Sequence, residues 1–109
     1  MGENSGGRDN TGDDVLVLPQ EDIQTKEPTQ YQVVLLNDDF TPMDFVIHIL
    51  KAVFRRTHTE AVDVMMRVHT SGRGVAGVYS HEIAETKMHQ VIEAARAQQH
   101  PLQCIIEEV

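Results

Sequence analysis

One cysteine, Cys104, is all that a chain of 109 residues contains. A lone thiol excludes an internal disulfide framework and a cysteine-rich zinc site. It fits a reducing compartment such as the cytosol. Bases are scarce too, with nine Lys and Arg against 17 Asp and Glu and a net charge of −8. A nucleic-acid binder needs a basic face to neutralise phosphates, and an anionic membrane surface asks for the same. Neither partner is expected. No run approaches the roughly 18 apolar residues of a spanning helix. The N-terminus has no basic stretch ahead of a signal-peptide core, and its longest apolar run is only residues 15–18. A cytoplasmic protein of at most one domain is expected. There is no internal repeat.

Composition shifts near residue 28. Residues 1–28 hold seven acids and two bases, with Gly2, Gly6, Gly7, Gly12, Pro19 and Pro28. Such a stretch has too little apolar area to offset chain entropy and reads as a flexible acidic extension. Val15-Leu16-Val17-Leu18 is its exception, either a sticky patch or a docking segment for a partner. Residues 29–109 carry ten acids and seven bases and read as the folded domain. A unit of that size is near the lower limit for a self-sufficient core and leaves little room for a deep enzyme cleft.

Tyr31-Gln-Val-Val-Leu-Leu36 is β-branched and aromatic, and predicts a largely buried strand. Asn37-Asp38-Asp39-Phe40 is turn-like. Thr41 can cap a helix with Pro42 at its first position and Asp44 three residues on. That helix is predicted to reach about Phe54, with Phe45, Val46, Ile49, Leu50 and Val53 on one stripe. Thr57-His58-Thr59-Glu60 is a capping box, opening a helix that runs to about Thr70. Its stripe is Ala61, Val62, Met65, Val68 and His69, and Gly72 and Gly74 bracket its end. A strand over residues 75–79 follows. Ser80 then caps a third helix, striped by Ala84, Met88, Val91, Ile92 and Ala95, which Pro101 stops. Leu102, Cys104 and Ile106 alternate with polar and apolar neighbours as a last strand. The order β-α-α-β-α-β predicts an α+β fold, one small antiparallel sheet with three helices packed on one face.

Three places could carry chemistry. Asn37-Asp38-Asp39 reads as a polar turn or as a set of acceptors for a cation, and lacks the alternating spacing of a calcium loop. His69, in the last turn of the second helix, is a structural histidine or sits where the partly negative helix end favours a cation. The apolar residues Leu35, Leu36, Met43, Val46, Met65, Val68 and Leu102 read as ordinary core, or as the lining of a pocket rimmed by Asn37, Asp39 and His69. An apolar hole with an anionic rim suits an ammonium beside a hydrophobic side chain, which is what a peptide N-terminus offers. Metal and nucleophilic chemistry have little support. His81-Glu82-Ile83-Ala84-Glu85 has Glu85 in place of the second zincin histidine. There is no G-x-S-x-G elbow. An Asp39–His69 dyad has no nucleophile or oxyanion donor to serve.

V-V-L-L-N-D-D-F-T-P-M-D-F-V (33–46), M-M-R-V-H (65–69), G-V-Y (77–79), A-E-T-K (84–87) and H-P-L-Q-C (100–104) carry a resemblance. In order and spacing they are similar to the ClpS family, adaptors that read N-terminal residues for a Clp AAA+ protease. The likeness covers residues 29–109. It implies a non-enzymatic, cofactor-free monomer that binds proteins beginning with Leu, Phe, Tyr or Trp. It also implies their delivery to the N-terminal domain of a ClpA-type ATPase, for degradation with ClpP. It implies that Asn37, Asp39 and His69 hold the α-amino group. Leu35, Leu36, Thr41, Met43, Val46, Met65, Val68 and Leu102 would line the side-chain pocket. Glu82, Glu85 and Lys87 would meet the ATPase, and residues 1–28 would match the extension that helps hand over substrate. Phe40 stands where Tyr is common, and Met43 points to the type that accepts a broader set of N-termini.

Overall fold

The computed structural model describes residues 29–109; the acidic extension and its apolar run at 15–18 lie outside the described residues. The order is β1 (Gln30–Leu36), α1 (Met43–Ala52), α2 (His58–Ser71), β2 (Arg73–Ser80), α3 (His81–Ala97) and β3 (Gln103–Glu108). The three strands form one antiparallel sheet in the order β2-β1-β3.

The sequence explains why β1 lies in the centre. Val33, Val34 and Leu35 are each 0% exposed, so both faces of this strand are covered. Val33 and Leu35 join the core shared with the helices. Val34 alternates to the other face, between its register partners Val75 and Ile105. On that face Arg73 and Glu107 form an ion pair that crosses β1 from one edge strand to the other. Gln32 donates to the same carboxylate at 3.1 Å.

The helices meet the sheet through Ile49 and Leu50 of α1, Ala61, Val64, Met65 and Val68 of α2, and Ala84, Val91 and Ala95 of α3. The Thr57–Glu60 capping box forms in both directions. The start of α1 differs from the expectation. Its N-cap is Pro42 rather than Thr41, and no side chain caps it. The Thr41 hydroxyl instead donates to Asp38 at 2.7 Å, which orients it toward the loop. Ser80 is the N-cap of α3, again without a side-chain bond.

The end of α2 governs the site. Gly72 takes φ +89°, a left-handed conformation open to glycine at little cost, and its N–H bonds Val68 at 3.0 Å. Gly74 lets α2 approach β2. A Cβ there would stand 2.8 Å from Val68 Cγ2 and 3.1 Å from the Val64 carbonyl. A side chain at 74 would push away the helix turn that carries Val68 and His69.

Candidate functional site

A cavity of about 230 Å³ opens between the loop after β1, the start of α1 and the end of α2. Asn37, Asp38, Asp39 and Thr41 come from the loop, Met43 and Val46 from α1, and Met65, Val68 and His69 from α2. Val46, Met65 and Val68 are buried and form an apolar floor. Asn37, Asp39 and His69 are exposed at the rim. Met43, 43% exposed, stands at the mouth. Pockets for drug-sized ligands run from about 300 Å³ upward, so this one suits a single side chain.

The loop is held from two directions. Asn37 donates its backbone N–H to the Gly72 carbonyl at 3.0 Å, which ties the rim to the end of α2. Asp38 turns inward. One carboxylate oxygen accepts from the N–H of Phe40 at 2.8 Å and of Thr41 at 2.7 Å. The other accepts from the Thr41 hydroxyl at 2.7 Å. Partial burial pushes the Asp38 carboxyl up. The Thr41 hydroxyl, the two N–H groups and the charge of His100 outweigh it and hold the group below the usual carboxylate range. A folded-state value below the unfolded one stabilises the fold at neutral pH, and the gain is lost as pH falls through the lowered value. The adjacent acids therefore differ. Asp38 staples the loop, while Asp39 is exposed at the rim and its carboxylate bonds to no other described residue.

We predict that Asp38→Ala costs about 1–2 kcal/mol of stability, as loss of a capping carboxylate does, and weakens ligand binding about 10-fold. Asp38→Asn should lose less, because its amide oxygen can still accept both N–H groups. Urea denaturation and a binding titration of the two variants check this. Unchanged binding in Asp38→Ala would show that the loop holds its shape unaided.

Some expected lining residues lie elsewhere. Leu35 is fully buried in the shared core. Leu36 alternates to the face away from the helices, with Arg73 and Gln103 as its neighbours in register. Leu102 lines a separate cavity beside α3. The three do not line the cavity between the loop and α2. Asp38 does, and its role can be read in the Asp-x-x-Thr spacing, which suits a carboxylate accepting from N–H groups two and three residues on. The Gly72 carbonyl had no such signal, since its bond to Asn37 joins residues distant in the chain.

On α3, Glu82 and Glu85 are exposed. Lys87 is half-buried and engaged. Its Nζ donates to the Val53 carbonyl at the end of α1 at 2.8 Å and lies 5.4 Å from the centre of the Tyr79 ring. A cation at a helix C-terminus is favourable, so this lysine locks α3 against α1. Burial pushes the Cys104 thiol up to about 12, which keeps it protonated and unsuited to nucleophilic work at neutral pH. Among the described residues no group of three or more His, Cys, Asp or Glu is placed to hold a metal ion. No described helix is long and apolar enough to cross a membrane.

Fold and cavity together define a small α+β domain with a side-chain-sized hole and a polar rim. Comparison with known proteins gives the family. Residues 26–105 match the family described as ATP-dependent Clp protease adaptor protein ClpS. A ClpS adapter of Roseobacter denitrificans is 52% identical over 95 residues, covering 87% of this chain and 84% of that one. One of Phenylobacterium zucineum is 44% identical over 108 residues, covering 99% of both. The structure of Agrobacterium tumefaciens ClpS2 bound to L-phenylalaninamide superimposes with a TM-score of 0.74 at 40% identity, covering 76% of this chain and all of that one. The chain belongs to the ClpS family of Clp protease adaptors.

Proposed function

We propose that this adaptor binds the free N-terminus of proteins that begin with Leu, Phe, Tyr or Trp. The observation that carries the reading is the cavity itself, with Asn37, Asp39 and His69 around a floor of Val46, Met65 and Val68. A neighbour of 40% identity is described as bound to L-phenylalaninamide, a free α-amine on an aromatic residue. An α-amino group with a pKa of about 7.7–8.0 is mostly cationic at neutral pH. Asn37 and Asp39 accept from it, and His69 accepts through one ring nitrogen when neutral. The start of α1 is positive and opposes an ammonium by about half a unit charge. Asp38 and Asp39 contribute a full charge each, and the negative end of α2, where His69 sits, acts in the same direction. The floor then takes the side chain. An aromatic ring buries about 150–250 Å², which at roughly 25 cal/mol per Å² is of order 4–6 kcal/mol before ordering costs.

Alkali neutralises the ligand amine, so affinity for a Leu-initiated peptide should fall as pH rises past about 8. His69→Ala should weaken that peptide by about 10-fold at neutral pH, because it removes one acceptor from the rim. An unchanged affinity in His69→Ala would remove His69 from the site.

Delivery completes the reading. The exposed Glu82 and Glu85 face is proposed to meet the N-terminal domain of a ClpA-type AAA+ ATPase, with Lys87 holding α3 in place rather than reaching outward. The adaptor would act as a cytoplasmic, cofactor-free monomer on its way to ClpP. Reversing both charges, Glu82→Lys with Glu85→Lys, should leave peptide binding unchanged and cut ATPase-dependent degradation of an N-terminal Leu reporter at least about 10-fold. Full degradation by that variant would place the contact on another surface.

A further inference from the structure

A second groove shares no lining residue with the peptide cavity. It lies between the end of α3 and β3 and has a volume of about 460 Å³. Its apolar lining includes Ile92, Leu102 and Cys104, its charge comes from Arg96, and His100 adds a polar ring. No carboxylate of the described residues lines it, in a chain of net charge −8. Along one side runs the outer edge of β3, which no described strand pairs. Val109 donates to Gln30 at 2.9 Å. In this antiparallel register, residues 105 and 107 therefore bond to β1, and the backbone of Cys104 and Ile106 turns toward the open edge. An edge of that kind is normally blunted by charge or covered. Glu107 and Glu108 guard only its far end.

We propose that residues 13–18 of this same chain occupy the groove. Val15-Leu16-Val17-Leu18 would pair with the outer edge of β3, and Asp13 and Asp14 would face Arg96. Three observations support this occupant. Its chemistry is complementary, two acids followed by four apolar, strand-forming residues. Pro19 follows at once and ends any pairing at Leu18. The chain length also fits. The described chain begins at the start of β1, and Gln103 lies opposite Leu36, so the groove is roughly 20 Å along the sheet from Gln30. Residues 19–28 span up to roughly 33 Å. A tether that short holds the segment at an effective concentration in the millimolar range, so even weak docking keeps the groove filled.

Amide hydrogen exchange on the full chain tests the proposal. The backbone N–H groups of Cys104 and Ile106 should exchange at least about 10-fold faster in the double variant Leu16→Asp with Leu18→Asp than in the natural chain. Arg96→Glu should speed the same amides by a smaller factor. Both variants should bind a Leu-initiated peptide as the natural chain does, because the peptide cavity shares no residue with the groove. Unchanged exchange at Cys104 and Ile106 in either variant would overturn the proposal. So would protection that rises with protein concentration, which would make the occupant a second copy.

Discussion

Acetylating the N-terminus of a Leu-initiated peptide is expected to lower its affinity for this chain by about 100-fold or more, which is about 2.7 kcal/mol. The acetyl group removes the positive charge and leaves one N–H where three stood. Asn37, Asp39 and His69 all line the cavity and cannot all be satisfied by one donor. An acceptor left unpaired on binding costs about 1–3 kcal/mol, and more if it is charged, as Asp39 is. The side chain keeps its apolar contacts, so the loss isolates the contribution of the amine. Fluorescence anisotropy with the free and acetylated peptides measures it. Equal affinities would mean that the cavity reads the side chain alone.

Met43→Ala is expected to raise the affinity for Ile- and Val-initiated peptides about 10-fold while lowering that for Leu and Phe. Met43 is the first residue of α1 and stands half-exposed at the cavity mouth. A side chain branched at Cβ places its second methyl beside the backbone of the ligand, where Met43 and the loop would crowd it. Removing the Met43 side chain opens that space. It also removes contacts with longer side chains, at about 0.8 kcal/mol per buried CH₂. Because Met43 is partly in solvent, stability should move by no more than about 0.5 kcal/mol. A panel of peptides differing only in the first residue separates these effects. If Ile and Val gain nothing, Met43 is not the gate.

Much of the architecture was legible because its signals are local. The Thr57–Glu60 box and Gly72 after the second helix depend on neighbours within a few residues and formed as expected; the stripe of α2 formed at Ala61, Met65 and Val68, but Val64 is buried with them while Val62 is only partly buried and His69 is exposed. The rim was legible for a related reason, since Asn37, Asp39, Thr41 and Met43 fall within seven residues. The pocket wall was harder. In a central strand buried on both faces, the run Val33-Val34-Leu35-Leu36 gives no alternation of polarity, so the direction of Leu35 and Leu36 had to come from the sheet. The position of Leu102 was equally hard to read, because it precedes an edge strand whose place relative to α3 is a tertiary fact; it is buried in the core and lines the cavity beside α3. The cap of α1 lies one residue later, at Pro42, and the Thr41 hydroxyl is oriented toward Asp38 in the loop. Lys87 looked like a surface residue, and only its reach to the Val53 carbonyl shows it to be a tie between helices.

The central claim is that one cavity reads a free amine and a bulky side chain together. Titration with L-phenylalaninamide, followed by residue-resolved amide NMR, tests it most directly. We predict saturable shifts at residues 37–41 and at Met65, Val68 and His69, with none of them produced by N-acetyl-phenylalaninamide. Shifts confined to the groove between α3 and β3, or the same shifts from both compounds, would contradict it.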